Sequence, residues 1–198
     1  MPQLDFFFDL SSPYSYLAAT QLPALAERTG ATIRWRPMML FAVFGATGNK
    51  MPAETPAKAQ WMLGDLHRWS AHYGVPFRFA TRFPINAMSA MRLVLVGERH
   101  GRAEVVAREA FRRIWVEDRD VTQPDELADI ATAAGLPPDA ASAITEPAIK
   151  DALKANTDEA IRRGVFGAPA MFVGDALFWG NDRLPFVEEA LRVAGPAR

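Results

Sequence analysis

The chain has 198 residues, about half of them hydrophobic, and a formal net charge of −1. That length suits one domain, or one domain with a large insertion, around a sizeable core, and the composition excludes a disordered chain. The near-zero charge gives no support to a nucleic-acid partner, and the absence of cysteine removes disulfides, thiolate metal ligands and any dithiol chemistry on the protein itself.

In chain order, residues 4–8 form a short apolar run suited to a buried strand. Ser11 or Ser12 can cap the helix that follows, with Pro13 at its first position, where the missing N–H costs nothing. Leu17, Ala18, Leu22, Leu25 and Ala26 give this helix its stripe; Pro23 is expected to kink it and Gly30 to end it. Residues 32–36 alternate as a second strand, with Ile33 and Trp35 on one face. The longest expected loop is 38–56, rich in Gly, Pro and Thr.

A helical block follows, over 57–73, 86–96, 103–116, 125–134, 137–144 and 146–163, with Thr122 expected to cap the fourth of these. Strands over 170–173 and 176–179 flank a two-residue turn at Gly174-Asp175. A last helix over 183–194 is expected to be capped by Asn181 or Asp182. The order is βαβ, helical block, ββα: an α/β, thioredoxin-like fold with a large all-helical insertion after the second strand. The expected division is a thioredoxin-like domain of 1–45 and 165–198 and a helical insertion of 46–164. Pro169, directly before the third strand, is a candidate for a cis peptide bond.

The first corner carries the clearest chemistry. Ser12 stands at a helix start, where backbone N–H groups and the helix dipole favour an anion. A hydroxyl there can donate to a bound thiolate, lowering the thiol pKa and raising its reactivity; the strand–turn–helix pattern alone favours a plain N-cap. Ser11 and Ser15 are lesser candidates. The three histidines, His67, His72 and His100, lie in no hydrolase motif, and no Gly-x-Ser-x-Gly occurs. His67 and His72 are five apart, a poor helical spacing for a metal, so the expected metal is none. Phe41, Phe44, Trp115, Met88 and Trp179 are candidates to line an apolar pocket, although such residues at helical spacing more often form core.

Asp5 and Asp9 bracket a run of only three Phe with no basic segment before it, which argues against a signal peptide. No stretch approaches the roughly 18 apolar residues of a membrane span. The expected location is the cytoplasm, with no membrane partner.

Four motifs together carry a resemblance along essentially the full chain: Ser12-Pro13-Tyr14-Ser15-Tyr16-Leu17, Gly48-Asn49-Lys50, Phe166-Gly167-Ala168-Pro169 and Trp179-Gly180-Asn181-Asp182-Arg183. In these the chain resembles the 2-hydroxychromene-2-carboxylate isomerases, relatives of kappa-class glutathione transferases, in which serine replaces the redox cysteine of a disulfide oxidoreductase fold. The resemblance implies glutathione as a cofactor that is not consumed. It implies conversion of 2-hydroxychromene-2-carboxylate to trans-o-hydroxybenzylidenepyruvate in aromatic catabolism.

The resemblance also implies site roles. Ser12 becomes the catalytic thiolate stabiliser. Asn49 and Lys58 contact glutathione or a substrate carboxylate, while Lys50 is expected to face solvent. Pro169 presents the backbone of Ala168 to the peptide part of the ligand. Asn181 and Asp182 receive the γ-glutamyl group, and Asn86, with Phe41 and Trp115, meets the aromatic substrate. Relatives are dimers, so a homodimer is expected. Two other readings remain open: a kappa-like transferase that conjugates glutathione to electrophiles, and a non-catalytic glutathione- or peptide-binding module.

Overall fold

The computed structural model describes residues 1–51 and 54–194. Strand β1 (Gln3–Phe8) lies inside a four-stranded mixed sheet of order β2-β1-β3-β4. It pairs in parallel with β2 (Thr32–Pro37) and antiparallel with β3 (Ala170–Val173), which turns at Gly174-Asp175 into β4 (Ala176–Trp179). The parallel pair needs a crossover, which helix α1 (Pro13–Thr29) supplies, running through Pro23 to Gly30.

The Phe6-Phe7-Phe8 run is buried on both faces of the sheet, which is why it reads as a continuous apolar segment. Phe6 and Phe8 face one way, meeting Trp35 edge-on at 5.2 and 5.9 Å between centroids, and Phe8 meets Phe111. Phe7 faces the other way, against Phe172. On the first face the core continues without a break into the helical block: α3 (Pro56–Tyr73), α4 (Met88–Arg99), α5 (Ala103–Trp115) and α6 (Pro124–Ala133). The closing helix α8 (Leu184–Ala194) joins it through Leu184, Val187 and Leu191. On the second face α2 (Leu40–Thr47) and the end of α7 (Pro147–Arg162) pack on Phe7 and Phe172 through Val43 and Ala160.

Helix α2 corrects the expectation of one loop over 38–56. Its Leu-Phe-Ala-Val-Phe run buries Val43 under the sheet, and that burial stabilises a helix that a loop composition had hidden. Pro52 and Ala53 of the same expected loop lie outside the described residues. The expected 137–144 helix is a 3-10 turn at Ala140–Thr145. The helix expected from 86 begins at Met88, whose N–H is met by the Asn86 side chain. Thr122 does not cap α6: its hydroxyl donates to Asp120 Oδ1, and Pro124 shifts the boundary so that Gln123 flanks the helix.

Gly97 of α4 faces α5 so closely that an added Cβ would lie 2.7 Å from Val106 Cγ2. Gly97→Ala is expected to lower stability by about 1–3 kcal/mol in urea unfolding, because a β-branched neighbour yields little. Hydrogen bonds from Arg112 and Arg113 hold the Glu109 carboxyl down to about 2, from an ordinary 4.5. Its contribution to stability is therefore complete above the ordinary value and is lost as pH falls toward the folded one. Glu109→Gln should flatten the acid limb of a stability–pH curve between those limits.

Candidate active site

The site grows from the exit of β1. The chain turns at Asp9, whose carbonyl accepts from Ser12 N at 3.0 Å, and Ser12 becomes the N-cap of α1. Its Oγ accepts from Ser15 N at 3.2 Å, the usual capping bond. The same hydroxyl donates, over a long 3.4 Å, to the carbonyl of Ala168. The Ala168-Pro169 peptide is cis, as the position of Pro169 before β3 suggested. Thus the Ser12 hydroxyl joins the helix start to the loop ahead of β3.

These two segments form one wall of a cavity of about 1120 Å³. The loop before β3 is packed tightly: a Cβ on Gly167 would lie 2.5 Å from Trp179 Nε1, so only glycine lets the chain pass under that ring. Asn49, beyond α2, donates from Nδ2 to the Phe166 carbonyl at 2.7 Å and so ties a second wall to the same loop. Helix α3 supplies the opposite wall. Asn181 is buried, and its carbonyl accepts from the Tyr73 hydroxyl of α3 at 3.0 Å. Tyr14, in the first turn of α1, donates to Asp65 Oδ2 at 3.0 Å. Burial, reinforced by Asp65 and by the charge of Asp182, pushes the Tyr14 phenol well above its ordinary value, so it stays a proton donor.

Of the residues singled out from sequence, Ser12, Phe41, Asn49, Lys58, Ala168, Asn181 and Asp182 border this one cavity, as do Phe44 and Trp179. Pro169 is buried behind Ala168. Two are elsewhere. Trp115 is 0% exposed and donates from Nε1 to the Leu10 carbonyl at 2.9 Å; it is a core residue beneath the corner, not a cavity wall. Asn86 sits on the surface beside a separate hollow of about 220 Å³ with Arg82 and Asp118. Met88 is on the surface beside Arg92. Asn181 does not cap α8 with its side chain, which turns to Tyr73 at 3.4 Å; a 3-10 turn at Asn181–Arg183 leads into the helix instead.

Sequence reasoning passed over Tyr14, Asp65, Trp61 and Trp69, all of which border the cavity. The signal was present. Lys58, Trp61, Met62, Asp65 and Trp69 recur at spacings of three and four, one face of α3. That mixed polar and aromatic face was readable as core or surface until the opposite wall was known. Among the described residues no group of three His, Asp or Glu side chains is placed to hold a metal.

The sequence matches the DSBA-like thioredoxin domain family over residues 3–192. It is 41% identical to a 2-hydroxychromene-2-carboxylate isomerase of Sphingobium xenophagum over 191 residues, covering 95% of this chain and 97% of that one. The chain belongs to the 2-hydroxychromene-2-carboxylate isomerase family of DSBA-like thioredoxin proteins. A solved structure of a 2-hydroxychromene-2-carboxylate isomerase superposes with a TM-score of 0.89 at 30% identity, covering 97% of this chain and 95% of the other. Human glutathione S-transferase kappa 1 is 30% identical over 95% of this chain and 90% of its own length. Family membership agrees with the fold class read from the sequence.

The two tryptophans separate core from wall. Trp115→Phe leaves the Leu10 carbonyl without its donor and should lower stability by about 1–3 kcal/mol in urea unfolding. Trp61→Phe, at a residue 62% exposed, should change it by less than about 0.5 kcal/mol.

Proposed function

We propose that the protein is a glutathione-dependent isomerase that converts 2-hydroxychromene-2-carboxylate to trans-o-hydroxybenzylidenepyruvate. The observation that carries this reading is the placement of Ser12. In a family of isomerases, it stands at a helix N-terminus, on the wall of a large cavity, with its proton held only by a long bond to Ala168.

The residues present fit glutathione. The cavity combines a helix N-terminus for an anion, two carboxylates for an ammonium (Asp65 and Asp182) and the uncovered cations Lys50 and Lys58 for carboxylates. The Ala168 main chain and the Asn49 side chain border the same space, in positions to hold a peptide. Glutathione, when bound there, supplies a thiol whose deprotonated form is a nucleophile. Ser12 acts on that sulfur by turning its O–H away from the weak 3.4 Å contact toward a charged acceptor, a stronger bond. Its capping bond from Ser15 uses an oxygen lone pair and leaves the proton free for this task. Tyr14 holds Asp65 in place and keeps its own proton. Phe41, Phe44, Trp61 and Trp69 give the cavity an aromatic side, suited to a flat arene and to excluding water.

The same reading has the enzyme in the cytoplasm, where glutathione is kept reduced, and working as a homodimer. No helix among the described residues is long and apolar enough to cross a membrane. A second reading, a kappa-like transferase, is favoured by the 30% identity to human glutathione S-transferase kappa 1. Product analysis separates them: an isomer with glutathione recovered, or a stable thioether.

Turnover of the chromene should require glutathione; equal rates without it would remove the mechanism. Ser12→Ala should lower kcat by roughly tenfold or more, the worth of a hydrogen bond to a charged group, and lower stability by about 1 kcal/mol through loss of the cap.

A further inference from the structure

The reaction proposed above uses Ser12 and the cavity wall but leaves unused a buried carboxylate directly behind them. Asp9 is 3% exposed. Among the described residues no arginine or lysine pairs with it, in contrast with Asp5, which meets both Arg34 and Arg163. Burial pushes its pKa up, so keeping it charged works against stability. Its main-chain partners come from two separate segments. Oδ1 accepts from Ser11 N at 2.8 Å, and Oδ2 accepts from Leu40 N at 2.9 Å.

Both donors lie at helix starts that border the cavity. Ser11 immediately precedes the Ser12 cap of α1. Leu40 is the first residue of α2, whose own N-cap residue, Met39, has no polar side chain to meet the free N–H groups. Asp9 thus supplies, from the turn after β1, the capping acceptor that α2 lacks. Helix α2 then carries Phe41 and Phe44 into the cavity wall and leads to Asn49.

Resting on the isomerase reading, we propose that Asp9 is a positioning residue: one carboxylate fixes the Ser12 corner and the aromatic wall of α2 relative to each other. The shape of the carboxylate is essential to this role. Two N–H donors arriving from different directions need two acceptor oxygens, and a carboxamide has one. The clamp is not what holds α2 on the protein, because Met39 N also donates to Thr157 Oγ1 of α7 at 3.0 Å and Val43 stays in the core. Loosening it should therefore alter the site more than the fold.

Two variants approach the clamp from opposite ends. Asp9→Asn keeps the volume and removes one acceptor. Leu40→Pro removes the N–H at the first helical position, where proline is tolerated, and the extended Met39 (φ −80°, ψ 99°) suits a residue before proline. Leu40→Ala is its control, since it shortens the side chain and keeps the N–H. Kinetics with the chromene and glutathione, together with the ultraviolet thiolate absorbance of bound glutathione and a melting curve, give the readouts.

Asp9→Asn is expected to lower kcat about tenfold and to lower the thiolate signal. Leu40→Pro is expected to raise KM for the chromene severalfold above that of Leu40→Ala. Both should melt cooperatively. The proposal is overturned if Asp9→Asn matches the wild type in kcat, KM and thiolate signal while Leu40→Pro matches Leu40→Ala. If Asp9→Asn does not fold, the Leu40 pair decides by itself. A wild-type protein inert with glutathione overturns the isomerase reading and this proposal together, whereas an active wild type with unchanged variants overturns the clamp alone.

Discussion

Every part of the site depends on the register of β1 between its two partners. Phe7 stands opposite Ala170 in the antiparallel ladder and opposite Arg36 in the parallel one. With Phe6 and Phe8 committed to one face and Phe7 to the other, a slip by one residue would turn all three rings to the wrong layer. That register brings the chain leaving β1, with Asp9 and Ser12, alongside the chain entering β3, with Ala168 and Pro169. The Ser12–Ala168 bond is a consequence of strand pairing as much as of the two residues themselves. The rings that set the register are also among the largest fully buried side chains of the protein, so fold stability and site geometry share a cause.

Around that corner, polar groups are placed where the backbone has unmet needs. Ser12 caps α1, Asp9 meets the N–H of Leu40 at α2, and Asn49 and Tyr73 reach carbonyls of the two loops that flank β3 and β4. These bonds satisfy groups that sheet and helix pairing leave over. They also converge on one cavity, since the loops at this end of the sheet are the ones left free to meet a ligand. A redox thiol is missing from this arrangement, while a helix start and an adjacent loop before β3 are present. On the proposed reading, the thiol is carried in by a small molecule.

Much of this was legible along the chain because it is local. The strand–turn–helix start, the Gly174-Asp175 turn, the β3 and β4 limits and the helices of the block follow from apolar periodicity and from punctuation by proline and glycine. Helix α2 was not legible, because its Leu-Phe-Ala-Val-Phe segment is helical through burial of Val43 against a face of the sheet that is far off in sequence. Trp115 was misplaced for the related reason that an aromatic at helical spacing reads alike whether it faces a core or a cavity. Its complete burial and its bond to Leu10 decide.

The sequence by itself determined the fold class, the exclusion of protein dithiol chemistry and the place of Ser12 at a helix start. These rest on the order of elements along the chain, on the absence of cysteine and on a local strand–turn–helix pattern. The tertiary structure alone decided which side chains share the cavity. It drew Tyr14 and Asp65 together across 51 residues, placed Asp9 between two helix starts and sent Asn86 and Trp115 elsewhere. The physical reason is that a helix face or a buried carboxylate acquires a role only from what packs opposite it, and packing across a sheet is set by strand register, which no short stretch of the chain contains.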